Sequence, residues 1–489
     1  MSFHDVDHQE PRFEHDFETL ERRHRALGER LMTLENEMAA RLQKHADEMQ
    51  EAQSEINRLG GELENRIREA TRLQEEIKRL TEKGDGLEAE LTLAATAPGR
   101  SVSTWRVLVL DASARAALSA CRVLGRAGHD VGAASSTPTP LASYSRFTAR
   151  SHRLPDAQSS EKSFDNALGA LIAGHGYEVL VIMDDATLAR LRRVSPAIPS
   201  FPSLGPGFDR LTDKVGLIDL SRDADVAYPT TFATSSEEEL DDAIATVGFP
   251  VVVKGARSAV AASDGVHYHE GATVANDRAT ALAAFSEFRA EGLTPILQEF
   301  VHRREKINLS IFRRGGRSEV RFTYRVLRDV PLSGGIAMAV ETIRPDRGIG
   351  AEAVNALERL CDAGGYDGLA NGEFCRSPDG RLYLIEVNPR LWGSTWFAER
   401  LGQRVVERGV RLALGLPSLP EVAYPPGRRF HHVAGELQWL RLHHSRLDPL
   451  RELLRTTRPW DVFDGDELSD LRPIIRYALR GLSRSRGRR

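Results

Sequence analysis

Residues Leu369–Ser394 read LANGEFCRSPDGRLYLIEVNPRLWGS. The pattern predicts two antiparallel strands, Leu369–Cys375 and Arg381–Asn388, joined through Ser377-Pro378-Asp379-Gly380. Proline early and glycine late in such a short connection is ordinary hairpin chemistry. Side chains alternate along a strand, so Glu386 and Asn388 are expected on one face with Leu382 and Leu384. Tyr383, Ile385 and Val387 then take the other face, toward the core. With Arg376 opposite Arg381, Glu373 falls opposite Leu384 and diagonal to Glu386, with Cβ atoms roughly 7–8 Å apart. Two carboxylates with an amide oxygen beside them suit one or two hard divalent cations. Mg²⁺ takes oxygen ligands at about 2.0–2.1 Å and completes its shell with water and phosphate. Arg390 follows just past the strand end, where a cation can meet an anionic reacting group. The same residues also fit the solvated face of a surface hairpin, and the rest of the chain has to arbitrate.

At 489 residues the chain is too long for one hydrophobic core and suggests roughly three domains. A composition 41% hydrophobic and 28% charged is globular, and a net charge of −4 argues against nucleic acid as a partner. Cys121, Cys361 and Cys375 have no metal-type spacing and fit buried thiols in a reducing compartment. The first residues, MSFHDVDHQEPRFEHDF, lack a basic-then-apolar signal pattern. No apolar run approaches the ~20 residues needed to span a bilayer. The expected location is the cytoplasm.

Residues 1–98 read as an all-α coiled coil and linker. Ile56, Leu59, Leu63, Ala70, Leu73, Ile77, Leu80, Leu87 and Leu91 follow a heptad spacing, with Arg66 and Gly84 as gaps. Leu20, Leu27, Leu31, Leu34 and Met38 hold another register, and the step from Met38 to Leu42 is a stutter. The expectation is a homo-oligomer formed through this coil; a single charged helix or a helical hairpin are the alternatives. Ala94–Thr104 is a linker by composition.

Residues 104–205 alternate strand and helix: Trp105–Leu110, Ala114–Ala127, Asp130–Ala134, then Glu178–Met183 followed by Asp184-Asp185. That spacing implies a parallel sheet with right-handed crossovers. The first turn, Asp111-Ala112-Ser113-Ala114-Arg115, lacks GxGxxG, so no dinucleotide site is assigned. After the proline-rich stretch Pro196–Pro206, Thr212 is expected to cap a helix over Asp213–Ser221. Pro250–Lys254 is a strand that delivers a lysine to the loop beginning at Gly255. Ile296–Val301 is another short strand.

Together these blocks resemble the ATP-grasp superfamily of carboxylate–amine ligases, over about Trp105 to Leu416. TDKVGL looks like the block with the first ATP lysine, Lys214, and GFPVVVKGARS like the second lysine strand, with Lys254 reaching the α/β-phosphates. ILQEFV looks like the hinge over which adenine lies. It implies that the main chain of Glu299–Val301 reads the base edge, with Gln298 or Glu299 on its amino group. Lys306 takes the ribose or phosphate side. NGEFCRSPDGRLYLIEVNPR looks like the metal hairpin, with Glu373, Glu386 and Asn388 as ligands and Arg390 facing an acyl phosphate. SRFTARSHRLPD, FTYRVLRDVPLSGG and NPRLWGS look most like the carboligases related to biotin carboxylase.

The resemblance implies an α/β architecture. An ATP-grasp domain over 206–420 follows a Rossmann-like domain over 104–205, with the all-α coil before it and a basic-tailed extension over 421–489. It implies ATP and Mg²⁺ (or Mn²⁺) as cofactors, and small-molecule carboxylate and amine substrates. The ligase would activate the carboxylate as an acyl phosphate for attack by the amine. A non-catalytic ATP-binding module and a bicarbonate-using carboxylase are the alternatives. Phosphoryl transfer needs positioning and neutralised charge more than a side-chain nucleophile. The acceptor carboxylate needs its own cations, for which Arg325 and Arg328 are candidates. The loop after Lys254 departs from the family pattern: Gly255 to Gly265 holds only two glycines, and Arg257 stands where backbone amides usually bind phosphate. At the end of the chain, Arg472, Arg476 and Arg480 line one helical face before an Arg/Ser/Gly tail. This is a docked last helix or a weak peripheral membrane contact.

Overall fold

The structure is a computed structural model. It describes residues 104–476 except 160, 263–264, 270, 332–334, 444–446, 459 and 465–466, together with scattered positions between 25 and 75. Residues 1–101 form a unit of their own. Their described positions, from Arg25 to Glu75, are helical and exposed. The expected seam from Ile56 to Leu91, the linker 94–103 and the tail 477–489 lie outside the described residues. Among those described, no helix is long and apolar enough to cross a membrane, and the three cysteines are buried and unbridged.

The second unit begins with five parallel strands. Arg106–Val109 lies at the centre, with Asp130–Ser135 and Arg150–Arg153 on one side and Val179–Val181 and Ser200–Phe201 on the other. The apolar runs VLV and VLVIM fill the interior strands, as strands covered on both faces require. The edge strands Arg150–Arg153 and Ser200–Phe201 are short and mostly polar, which is why hydrophobicity alone misses them. The order of strands reverses between Arg106–Val109 and Val179–Val181. In open α/β sheets that reversal opens a crevice at the strands' carboxyl ends.

Next comes a four-stranded antiparallel sheet, in the order Ala272–Ala275, Val251–Gly255, Pro295–Glu299, Thr231–Ala233. Helices Glu237–Val247 and Arg278–Ala290 back it; Ser236 and Asp277 cap them by accepting the N–H of Glu239 and Thr280. A separate hairpin, Ala259–Ala262 with Gly265–Tyr268, projects from this sheet.

The largest sheet has seven strands: Leu382–Asn388, Gly368–Arg376, Glu305–Arg314, Arg317–Val330, Ile336–Thr342, Arg429–His431 and Val462–Phe463. The segment after residue 420 is therefore woven in, supplying the last two strands. Asp470 ties it to the first sheet's helix Arg115–Arg126 through a buried pair with Arg122 (2.9 Å), and it accepts from Ser145 and the Arg146 N–H. Leu180 and Ile182, in and just after a strand of the parallel sheet, share one buried cluster with Leu309 and Leu384 of the large sheet and with Leu360 of the helix Gly348–Gly364.

Two local expectations are corrected. Thr212 ends the helix Pro206–Thr212, its hydroxyl donating to the Phe208 carbonyl; Asp213 instead accepts the Val215 N–H ahead of Gly216–Asp223. In the 368–388 hairpin, a bulge at Ile385 shifts the register, so Phe374 pairs with Leu384 and Glu373 pairs with Glu386 itself. Leu382, Leu384 and Val387 face the core, and Tyr383, Glu386 and Asn388 share the other face.

Candidate active site

The hairpin turn is held by Ser377, whose hydroxyl meets Asp379 and donates to the Arg381 carbonyl at 3.0 Å. Gly380 follows at φ 92°, a conformation that favours glycine. Because the bulge brings Glu373 opposite Glu386, their Cβ atoms stand roughly 4.5–5.5 Å apart rather than on a diagonal. Direct opposition sets the two residues nearer one another than the diagonal placement that alternation predicts. Asn388 donates its amide N–H to Glu386 at 2.8 Å, which holds the amide beside that carboxylate. Two carboxylates and an amide oxygen are a hard-donor set that fits Mg²⁺ or Mn²⁺.

Three lysines converge on this pair. Lys306, on the neighbouring strand Glu305–Arg314, sits 2.7 Å from Glu373 and donates to the Gly335 carbonyl at 3.0 Å. Burial opposes its charge, but Glu373 and then Glu386 raise its pKa above the usual value. Lys254 is the penultimate residue of the strand Val251–Gly255 and is 6% exposed. Burial, and then the Lys214 ammonium, push it down to about 8. Burial alone would raise the Glu386 carboxyl, yet Lys214, Lys254, Asn388 and Lys306 together hold it below its usual value. Lys214, buried at 8%, is placed by its own N–H, which donates to the Ala256 carbonyl at 3.0 Å. Lys214, Glu386 and Asn388 line one cleft with Arg257 and Asp185.

Arg390 reaches across to the parallel sheet. Its Nε and Nη2 donate to the two carboxylate oxygens of Asp185 at 2.6 and 3.0 Å. Burial works against its charge, and the Asp185 carboxylate outweighs that and raises its pKa. Asp185 opens the helix Asp185–Val194 at the crevice where the strand order reverses. Asp111, at φ 55°, fixes that turn by accepting the N–H groups of Met183 and Asp184 and the Thr187 hydroxyl. Sequence reasoning noted Asp184-Asp185 without giving it a role; a conspicuous acidic pair at a strand end was the only signal.

The glycine-poor loop has a structural counterpart. Arg257 is held by Asp213 at 2.9 Å and Thr212 at 3.2 Å, on the cleft wall beside Lys214. The hairpin beyond it lays Ala259 and Val266 against Ala186 and Ala189 of the Asp185 helix. Small side chains allow that close approach where glycines are few.

Two other expectations change. Gln298 is buried and donates one amide N–H to Thr231 Oγ1 at 2.8 Å, toward the neighbouring strand. Glu299 accepts the Thr230 N–H at 3.1 Å with one oxygen and, like Val301, is only partly buried at the strand's end. Arg328 does not reach the cleft. Its guanidinium is buried, donates to Glu436 (3.1 Å from Nε) and Thr456 (2.9 Å), and stacks on Trp439. Arg325 is half-exposed, 3.4 Å from Glu305, and lines a polar cleft of about 580 Å³ with Arg303, Arg304 and Lys306.

Comparisons with known proteins bear on the fold that carries these residues. Residues 220–398 match the family model of the ATP-grasp domain. No curated protein matches the chain. The structure is similar to N5-carboxyaminoimidazole synthetase from Staphylococcus aureus, with 13% identity and a TM-score of 0.51, over 66% of this chain and 81% of that one. Biotin carboxylase from Campylobacter jejuni aligns with 16% identity and a TM-score of 0.52, over 66% and 74%. L-amino acid ligase from Bacillus licheniformis aligns with 13% identity and a TM-score of 0.51, over 67% and 79%. By the match over 220–398 and by its fold, the chain carries an ATP-grasp domain.

Proposed function

We propose that the protein is an ATP-dependent ligase that activates a small-molecule carboxylate as its acyl phosphate and passes the acyl group to an amine. One observation carries the reading: Lys214, Lys254, Lys306, Glu373, Glu386 and Asn388, from five separate stretches of chain, meet at one site in a fold with an ATP-grasp domain. A surface hairpin has no use for three lysines drawn onto two carboxylates. In this reading Lys214 and Lys254 hold phosphate oxygens, and Glu299 with the main chain to Val301 holds adenine. Lys306 sits on the phosphate side. Glu373, Glu386 and Asn388 would hold Mg²⁺ (or Mn²⁺), which supplies charge neutralisation at the phosphates. Arg390 steadies the anionic acyl phosphate, and Arg325 is the remaining candidate for the acceptor carboxylate.

The carboxylate oxygen attacks the γ-phosphorus and ADP leaves; the amine then attacks the acyl carbon and phosphate leaves. Charge positioned in advance is the main contribution the protein can make. Phosphate release from ATP with pooled amino acids and other carboxylates tests this: amine-dependent release with a ligated product by mass spectrometry is expected. Release that depends on bicarbonate and on no other acid would assign a carboxylase at the same site, the reading favoured by the similarity to biotin carboxylase. ATP binding without turnover for any acid would assign a binding module.

A further inference from the structure

We propose that His269, Glu287 and Glu291 form a second divalent-metal site, of the mixed nitrogen–oxygen class that takes Zn²⁺, at the base of the hairpin that projects beyond Lys254. His269 directly follows the strand Gly265–Tyr268 and is separated from it by no intervening residue. Its N–H donates to the Ser258 carbonyl at 3.1 Å, so it stands where the hairpin leaves the sheet. Glu287 lies in the last turn of the helix Arg278–Ala290, and Glu291 caps its end. One donor atom from each of the three residues lies within 4.8 Å of the others. His269 Nδ1 is already 2.6 Å from Glu291 Oε2. Bonds of about 2.0 Å to a tetrahedral Zn²⁺ put donors roughly 3.3 Å apart, with a fourth position left for water. Glu287 is exposed and Glu291 retains 39% side-chain exposure, so both can close that gap by a change of rotamer.

The placement of the two glutamates argues independently for a cation. They stand four residues apart, where like charges repel, and at the helix C-terminus, where the carbonyl dipoles are already negative. The basic residue of that turn, Arg289, is turned away to the Ser235 carbonyl and the Phe285 ring. A cation bridging to His269 offsets both unfavourable terms. His267 Nδ1 donates to the Glu291 carbonyl at 2.9 Å and holds strand and helix in register for it.

The consequence reaches the nucleotide cleft. Phe288, between the two glutamates, packs beneath Gly255 next to Lys254, and its ring centroid is 4.3 Å from that of His269. A metal here pins the hairpin base to the helix behind the Lys254 strand, without taking part in the chemistry.

The test uses the full-length protein, stripped with chelator, and Zn²⁺ titrated against a chromophoric chelator, beside His269→Ala and Glu291→Gln. Wild type and variants share every other histidine and the Glu373/Glu386 pair, so their difference reports on this site. The expected result is one zinc equivalent whose affinity falls at least tenfold in each variant. A zinc-induced rise in melting temperature should accompany it in the wild type and shrink in both variants. If a variant melts low without metal, Glu287→Gln, at an exposed position, takes its place. Equal zinc affinity and equal melting shifts in wild type and variants overturn the proposal.

Discussion

Arg390 and Asp185 face each other two on two, Nε at 2.6 Å and Nη2 at 3.0 Å from the carboxylate oxygens, joining the 368–388 hairpin to the parallel sheet. Such a fork fixes the guanidinium in one plane, which a lysine could not supply. Asp185→Asn keeps the shape and removes the charge. Turnover should fall about ten- to a hundredfold, in line with the ~1.5–3 kcal/mol typical of charged hydrogen bonds. The apparent ATP affinity should stay within about twofold, since Asp185 is assigned no nucleotide contact. Phosphate-release kinetics at varied ATP separate the two, and a rise in the ATP KM with unchanged kcat would contradict this role.

Lys254, held down to about 8 by burial and by Lys214, makes ATP binding sensitive to alkaline pH. The native state binds its proton less tightly than the unfolded chain, whose lysine keeps the ordinary value of 10.5. Without nucleotide, its contribution to stability therefore rises between about pH 8 and 10.5. ATP wants the charged form, so affinity should fall over the same range. Isothermal titration at pH 7 and 9.5 checks this; Lys254→Arg, which stays charged, should flatten the profile, and an equal fall in wild type and variant would send the pH effect elsewhere.

His431 carries the opposite sign. It is buried between Asp461 (3.1 Å from Nε2) and Glu436 (3.0 Å from Nδ1). Burial alone would lower its pKa, and the two carboxylates raise it above 6.5 instead. The stability it contributes is fully present below pH 6.5 and is lost as pH rises through the higher folded value. The gap in melting temperature between wild type and His431→Gln should be widest near pH 6 and narrow toward pH 9. A gap that widens with pH would contradict a charged imidazole at this position.

Much of this architecture was legible because its parts are local. Glu386, Asn388 and Arg390 lie within five residues, and Lys254 follows an unbroken apolar run. What was not legible depends on distant partners. Nothing near Arg328 indicates that Glu436, over a hundred residues on, will bury it. Gln298 gives one N–H to Thr231, from a strand that pairs with its own. The bulge at Ile385 reversed the inferred face of the hairpin because apolar residues occupy consecutive positions there, and alternation cannot choose between them. The strand Arg429–His431 was missed because its pattern is too short to stand without the sheet it joins.

The heptad pattern before residue 93 predicts that this segment drives self-association and leaves catalysis alone. Light scattering on the full chain and on a version starting at Ser101 checks it. The shortened protein should be monomeric, or of lower order, with the same turnover per chain. The same number of chains per particle in both would contradict it.

The pairing of Glu373 with Glu386 beneath three lysines is the core of the account, and Glu386→Gln tests it most directly. The substitution removes one charge at nearly constant volume. ATP turnover at saturating Mg²⁺, measured beside the melting temperature, should fall by at least about a hundredfold while the protein stays folded, consistent with losing a preorganised charge at a phosphoryl-transfer site. Wild-type turnover in the variant at saturating Mg²⁺ would contradict it, and the hairpin would not be the metal site.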